Sequence, residues 1–410
     1  MNIDTRSPAL QALSHPDFAR YAFARLFATV SWQMMDVLLG WQMWRLTGKE
    51  IFLGYIGLAQ FIPFCTLLLP GGQIADRFDR RAIIAIAYSL ELVGAATLLV
   101  FTLRGGSNVF VCYVVAVMLG VARAFWAPAG QAMTPNLVPR HLLPGAISVN
   151  TVLFQGGTIC GPPIAGLMVQ FGYMHAYALV VALLVITLFL VIGVRPVRAQ
   201  ATTEWRWHQV LDGFVFVWKK KPVLGAISLD LFAVLFGGAV ALLPVFADKI
   251  LHVGSVGLGL LRAAPGVGAA IVALALGWRP IQKHAGRWMF GGVATFGICT
   301  VIFGLSKSFG LSLAVLAIAG AADMVSVFVR GMLVQLETPD AIRGRVSAVN
   351  SMFIGASNEL GAFESGLTAS WFGTIRSVVF GGIGTMIVVA SYMRLFPELR
   401  KLDRFPEPVH

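Results

Sequence analysis

The sequence predicts an all-α membrane protein of twelve transmembrane helices in two pseudo-symmetric six-helix halves. Three observations carry that expectation. Charged residues are 12% of the 410 positions and apolar residues 57%, whereas soluble domains carry about 25% charge. Twelve apolar runs are separated by breaks that hold charge or proline. Residues 200 positions apart match in register across the two halves.

Each run must supply roughly 20 apolar residues, the helix length that crosses the hydrocarbon of a bilayer. The runs cover 20–46, 52–75, 82–103, 108–137, 142–170, 173–194, 222–247, 254–278, 287–306, 309–336, 344–370 and 375–396. The first six form an N-terminal half within 1–194, the last six a C-terminal half over 222–396, and 397–410 is a cytoplasmic tail. The connection 195–221 contains Glu204-Trp205-Arg206-Trp207-His208 and Trp218-Lys219-Lys220-Lys221, aromatic and basic at helical spacing. That pattern predicts an amphipathic helix on the inner leaflet, with a solvated basic linker as the alternative.

At the constant offset of 200, Pro139 matches Pro339, Val149-Asn150 matches Val349-Asn350, Gly161 matches Gly361, and Gly166-Leu167 matches Gly366-Leu367. Gly120 and Gly320 coincide as well. Matches held in register over this length argue for duplication of a six-helix unit.

With the loops and the run ends beside them assigned alternately, 21 Lys and Arg fall on one side and 6 on the other, with four arginines left in the interior of the runs. The positive-inside rule then puts both termini in the cytoplasm of a multi-pass, cytoplasmic-membrane protein. It also accounts for the net charge of +12 without a nucleic acid. Cys65, Cys112, Cys160 and Cys299 stand singly in apolar runs, the pattern of small core residues and not of disulfides or metal ligands. Met1 to Asp17 is polar and has no signal-peptide pattern.

Between the second and third runs lies Gly72-Gln73-Ile74-Ala75-Asp76-Arg77-Phe78-Asp79-Arg80-Arg81. It resembles the corresponding loop of the major facilitator superfamily, Gly-x-x-x-Asp-Arg/Lys-x-Gly-Arg-Arg/Lys, and departs from it with Asp79 at the family's glycine. The resemblance implies parallel six-helix halves with substrate near the midplane between them. It also implies a conformational latch: Asp76 near the start of span eleven, Gly72 permitting close helix approach, and Arg77, Arg80 and Arg81 anchoring the loop. In span five, Gly157-Thr158-Ile159-Cys160-Gly161-Pro162-Pro163-Ile164-Ala165-Gly166 resembles the family's antiporter motif. Gly157, Gly161, Pro162 and Gly166 carry the match, and Ala165 replaces one glycine. This motif favours an exporter over a sugar-type symporter, although Gly-x-x-x-Gly alone also serves plain helix packing. Wider stretches, Gly40 to Gly48, Ala127 to Pro139 and Arg343 to Asn350, resemble the branch of proton-coupled drug and siderophore exporters related to macrolide and enterobactin efflux proteins.

Ionisable residues inside the membrane are costly unless paired or wet, and so mark function. The runs hold Arg25, Arg123, Arg262 and Arg330 with Asp36, Glu91, Asp230, Asp323, Glu359 and Glu364. At ~1.5 Å per residue from the cytoplasmic edge, Arg123 lies at roughly 20 Å and Asp36 at roughly 24 Å, while Asp230 and Arg330 both lie near ~12 Å. Arg262, Asp323 and Glu359 cluster at about 21–24 Å. These depths suggest the pairs Asp36–Arg123 and Asp230–Arg330, and a group of Arg262 with Asp323 or Glu359. Six acids exceed four arginines, so some carboxylates are available to exchange protons. Asp36 leads as proton carrier or substrate contact, followed by Asp323 and Glu359, with a permanent structural pair as the alternative for Asp36. Glu91 is read as structural and facing away from the cavity. Arg25, Trp32, Trp126, Phe232 and Phe236, with Phe154, are candidates to line a cavity for an amphipathic substrate.

These readings converge on a secondary transporter that exports amphipathic small molecules, drug or siderophore-like, by proton antiport through alternating access. An importer or lipid flippase on the same fold is the alternative. The expected partners are a small-molecule substrate, protons and the lipid bilayer, with the chain a monomer and no cofactor, metal or nucleic acid. An enzyme is disfavoured because no P-loop, His-rich metal motif or Ser–His–Asp arrangement occurs. A membrane sensor would need a soluble signalling domain or a long tail.

Overall fold

The computed structural model describes residues 7–196, 207–339, 342–403 and 405, and among them every regular element is helical. In chain order these are α1 (Pro8–Leu13), α2 (Pro16–Thr47), α3 (Glu50–Arg77), α4 (Arg80–Leu103), α5 (Val109–Met133), α6 (Leu143–Gln170), α7 (Tyr173–Ile192) and α8 (Trp207–Lys219). They continue as α9 (Lys221–Gly237), α10 (Leu243–Val245), α11 (Gly254–Trp278), α12 (Ala285–Leu305), α13 (Phe309–Glu337), α14 (Arg343–Phe372), α15 (Thr374–Leu395) and α16 (Pro397–Arg400). Contacts group them into two compact units. One comprises Met1–Gln42 with Ile62–Thr203, the other Met43–Phe61 with Glu204–His410.

Among the described residues, ten helices are long and apolar enough to cross a membrane. The long helices α2 and α14, which cover the first and eleventh runs, are not among the ten. Polar residues lower their apolar average: Gln33, Asp36 and Gln42 in α2, and Asn350, Asn358, Glu359 and Glu364 in α14. Ten of the twelve expected runs therefore form helices of that length and apolar character, and the long, more polar α2 and α14 cover the other two.

The seventh run is not one continuous helix. α9 ends at Gly237, and a 3-10 turn (Ala239–Leu242), α10 and a π turn (Phe246–Ile250) carry the chain onward. Gly238 leaves helical geometry at ψ 59°. Its freed carbonyl accepts a hydrogen bond from Ser365 Oγ of α14 at 2.9 Å. A break inside apolar surroundings is tolerated when a neighbouring helix satisfies the exposed backbone in this way.

Small residues set the closest helix approaches, as expected where water supplies no driving force between helices. A Cβ added at Gly320 of α13 would overlap the Pro265 carbonyl of α11, and one at Gly268 of α11 would overlap the Ala317 carbonyl of α13. In the same unit α3 crosses α14 glycine on glycine. A Cβ on Gly366 would stand 2.7 Å from the Gly54 Cα, and Tyr55 stacks on Phe363 at 6.0 Å between centroids.

Glu204, Trp205 and Arg206 of the expected connecting helix lie outside the described residues, as do Arg404 and 406–410 of the tail. α8 itself buries Val217 in an apolar cluster with Val223, Ile227, Val334, Val346 and Val349, while Trp218 is 77% exposed. Apolar burial on one face and an exposed tryptophan followed by lysines on the other give the helix two faces. Cys112 and Cys299 are buried, but Cys160 is exposed, contrary to the core position expected for it. Its neighbours Gly157 and Gly161 occupy the face of α6 that meets α2.

Replacing Gly320 with Val should lower the thermal midpoint of the purified protein, since overpacking of this kind costs about 1–3 kcal/mol. Gly331→Val on the same helix, where an added Cβ meets open space, should leave the midpoint close to that of the wild type.

Candidate functional site

Each unit contains its own group of charged and aromatic side chains. In the second unit, Arg330 of α13 forms an ion pair with Asp230 of α9, the side chains being 4% and 7% exposed. Asp323 lies two turns earlier on α13, within electrostatic range of both. Residues seven apart share a helix face, so Asp323 and Arg330 lie on the same side of α13. Fully ionised, this triad has a net charge of −1. Arg262 lies within electrostatic range of Glu359.

At the far end of α2, Trp44 Nε1 donates to Asp248 Oδ2 at 2.9 Å. Arg45 Nη1 lies 3.4 Å from Asp248 Oδ1, and Lys249 Nζ sits over the Trp44 ring at 4.7 Å. Asp248 and Lys249 stand just past the seventh run, where no local pattern in the sequence links them to Trp44. Phe232 is 38% exposed and its ring lies 6.4 Å from that of Tyr392. Phe236 packs on α15, where a Cβ added at Gly381 would overlap its carbonyl and one at Gly384 would meet its side chain at 3.4 Å.

The first unit holds an aromatic and cationic group. The Arg123 guanidinium lies over Phe64 at 4.7 Å and over Trp32 at 5.7 Å, contacts in which ring faces attract the cation. Trp32 meets Trp126 edge-on at 6.1 Å, and Trp126 meets Tyr88 at 6.4 Å. Arg25 lies over Phe154 at 5.6 Å. Asp36 is half-buried on α2, one turn beyond Trp32. Glu91 is 2% exposed with its charge acting on Tyr88. One of its carboxylate oxygens has no hydrogen-bond partner among the described residues. Such a buried oxygen is a functional pointer that its position in the third run did not reveal.

The loop between α3 and α4 works through its arginines. Arg80 Nε donates to the Ala75 carbonyl at 3.2 Å and its Nη1 to the Ala132 carbonyl at 2.9 Å, at the ends of α3 and α5. Arg81 Nη1 donates to the Ile192 and Val194 carbonyls at 3.1 and 2.9 Å, and Arg20 Nη1 to Gly193 between them at 2.8 Å. Cations at helix C-termini satisfy orphan carbonyls and the dipole together. Asp79 caps α4, its carboxylate accepting from the Arg81 N–H at 3.0 Å. A side-chain cap explains how aspartate serves where a glycine is usual. Asp76 is 70% exposed, 3.9 Å from Arg80, and Arg77 is exposed at the end of α3. The close approach expected of Gly72 belongs to Gly71 instead. A Cβ there would overlap the Ala124 carbonyl of α5, whereas Gly72 has open space.

The small residues of α6 face α2. A Cβ on Gly161 would stand 2.6 Å from Gln33 Cβ, and one on Gly157 2.9 Å from Thr29 Cβ. α6 runs through Pro162 and Pro163 without ending, and Pro162 and Gly166 are buried along it.

The pattern of the family described as transmembrane secretion effector, of major facilitator type, matches residues 7–408. The enterobactin exporter EntS of Citrobacter koseri is 28% identical over 406 residues, covering 97% of this chain and 95% of that protein. EntS of Shigella boydii is 27% identical over the same shares. Among solved structures, a mutant of the nucleoside transporter NupG superimposes with a TM-score of 0.73 at 15% identity, covering 93% of this chain and 100% of that one. A transporter of the POT family gives 0.74 at 13% identity, covering 94% and 96%. These structures share the fold.

Arg330→Met strands the buried Asp230 carboxylate, and breaking a buried pair costs about 3–5 kcal/mol. The variant should show a lower melting midpoint and poor recovery from the membrane. Adding Asp230→Asn should restore most of the loss in the same melting assay.

Proposed function

Because the chain belongs to the transmembrane secretion effector family, we propose that it exports amphipathic small molecules, drugs or a siderophore-like metabolite, by proton antiport. It is a multi-pass membrane transporter of the major facilitator fold, related to bacterial siderophore and drug exporters, and not an enzyme. In our reading twelve spans form two six-helix halves with both termini in the cytoplasm, and the halves rock about a site near the midplane.

The observation that carries the antiport reading is the triad of Asp230, Arg330 and Asp323. One cation facing two carboxylates in apolar surroundings leaves a charge that a single proton neutralises. Taking up or releasing that proton alters the electrostatic balance between α9 and α13, and a ligand with different affinity for the two states shifts them accordingly. Asp36, Arg262 and Glu359 are further candidates for coupling. The aromatic group around Arg123, with Trp32 and Trp126, offers apolar faces and a cation to an amphipathic anion or aromatic substrate. The knot of Trp44, Arg45 and Asp248 is then a gate that opens when access alternates. The Asp76 loop stabilises one of the two states, and Arg80 and Arg81 keep the ends of α3, α5 and α7 together throughout.

Inverted membrane vesicles test this with lipophilic cations, macrolides and a catecholate siderophore. Accumulation of at least one compound should require an imposed proton gradient, collapse with an uncoupler, and fall to background in Asp323→Asn. Gradient-driven accumulation unchanged in Asp323→Asn would move the coupling role to Asp36 or Glu359. Uptake only by right-side-out vesicles would establish import, and movement of labelled phospholipid alone would establish a flippase.

A further inference from the structure

The start of α12 and the segment after α15 line a half-open cavity of about 840 Å³ with none of the residues proposed above for coupling among its lining. Gly286 N–H donates to the Leu402 carbonyl at 2.9 Å and Ala285 N–H to that of Asp403 at 3.4 Å. These bonds hold the segment after α16 across the first turn of α12. The inner wall is apolar, with Phe290 and Ala294 from α12 and Val389 and Met393 from α15. The rim carries Arg287, Arg400 and Lys401, all exposed. Asp403 also lines it, and His284 Nδ1 engages its carboxylate at 2.5 Å. The cavity is therefore lined by three cations and one acid that already has a partner in His284.

On the face of α12 that carries Gly291 and Ala294 of the lining, Trp288 and Ile298 are 53% and 44% exposed. Faces of this kind belong against acyl chains. A free anion would use the rim and leave the apolar wall wet, and an uncharged apolar molecule would leave the cations without a counter-charge. An amphiphile with a phosphate head satisfies both, and basic pockets between membrane helices are known to take such headgroups. A volume of this size lies within the range of specific ligand sites, roughly 300–1,000 Å³.

We infer that this cavity binds one anionic phospholipid, its phosphate held by Arg287, Arg400 and Lys401 and its proximal acyl chain against Phe290 and Met393. The lipid comes from the inner leaflet, an assignment that rests on the orientation proposed above.

The full chain, exchanged into micelles holding equal amounts of phosphatidylglycerol and phosphatidylcholine, is assayed by native mass spectrometry for retained lipid. Wild type should keep phosphatidylglycerol in clear excess, and the triple variant Arg287→Gln, Arg400→Gln, Lys401→Gln should lose that excess. Arg140→Gln, Lys219→Gln and Lys221→Gln, which remove three exposed charges away from the cavity, should keep it. Gly291→Leu fills the cavity without changing charge, and an added Cβ there meets open space, so this variant should fold and lose the lipid. The proposal is overturned if both triple variants lose the excess equally, if Gly291→Leu retains it, or if inorganic phosphate displaces the lipid completely. Retention is read without transport, so a negative result leaves the export reading standing.

Discussion

The buried ion pair of Arg330 with Asp230 is the constraint around which the second unit is arranged. Charges in apolar surroundings are expensive unless they are paired, so α9 and α13 must present Asp230 and Arg330 to each other closely. Asp323 adds a second acid on the same face of α13. The surrounding helices make room by glycine contacts, α13 on α11 at Gly320 and Gly268, and α14 on the break after α9 at Ser365 and Gly238. Backbone contact on several sides keeps α9 and α13 in place, and with them the separation of Asp230 and Arg330.

The first unit uses cations differently. Arg80, Arg81 and Arg20 are spent on the carbonyl ends of α3, α5 and α7. Arg123 and Arg25 rest on aromatic rings. The same residue type thus serves as helix cap at one level of the membrane and as aromatic partner at another. This explains why positional charge bias alone, a matter of side, could not separate anchoring from architecture.

Much of the fold was legible because hydrocarbon imposes it: long apolar runs must become helices to satisfy their backbone. The polarity of α2 and α14 was equally present in the sequence, in Gln33, Asp36, Asn358 and Glu359. The pairing of Asp230 with Arg330 followed from depth, since residues equally far from a membrane edge can meet. Depth fixes height but not rotation about the helix axis, so it left both Asp323 and Glu359 open as partners of Arg262. Rotation also hid the difference between Gly71 and Gly72 and the exposure of Cys160. Where Asp79 stands for a glycine, the sequence registered a departure, and only the cap geometry gave its reason. The break at Gly238 depends on a hydroxyl 127 residues away, a partner that local pattern cannot supply.

Proton movement itself tests the account most directly. The purified chain would be reconstituted in liposomes that hold a pH-sensitive dye, with a transported compound added outside and no initial pH difference. If antiport runs through the triad, compound entering down its gradient drives protons out and the lumen turns alkaline, and Asp323→Asn abolishes the pH change. Compound entry with no pH change in the wild type, or with acidification of the lumen, would contradict it.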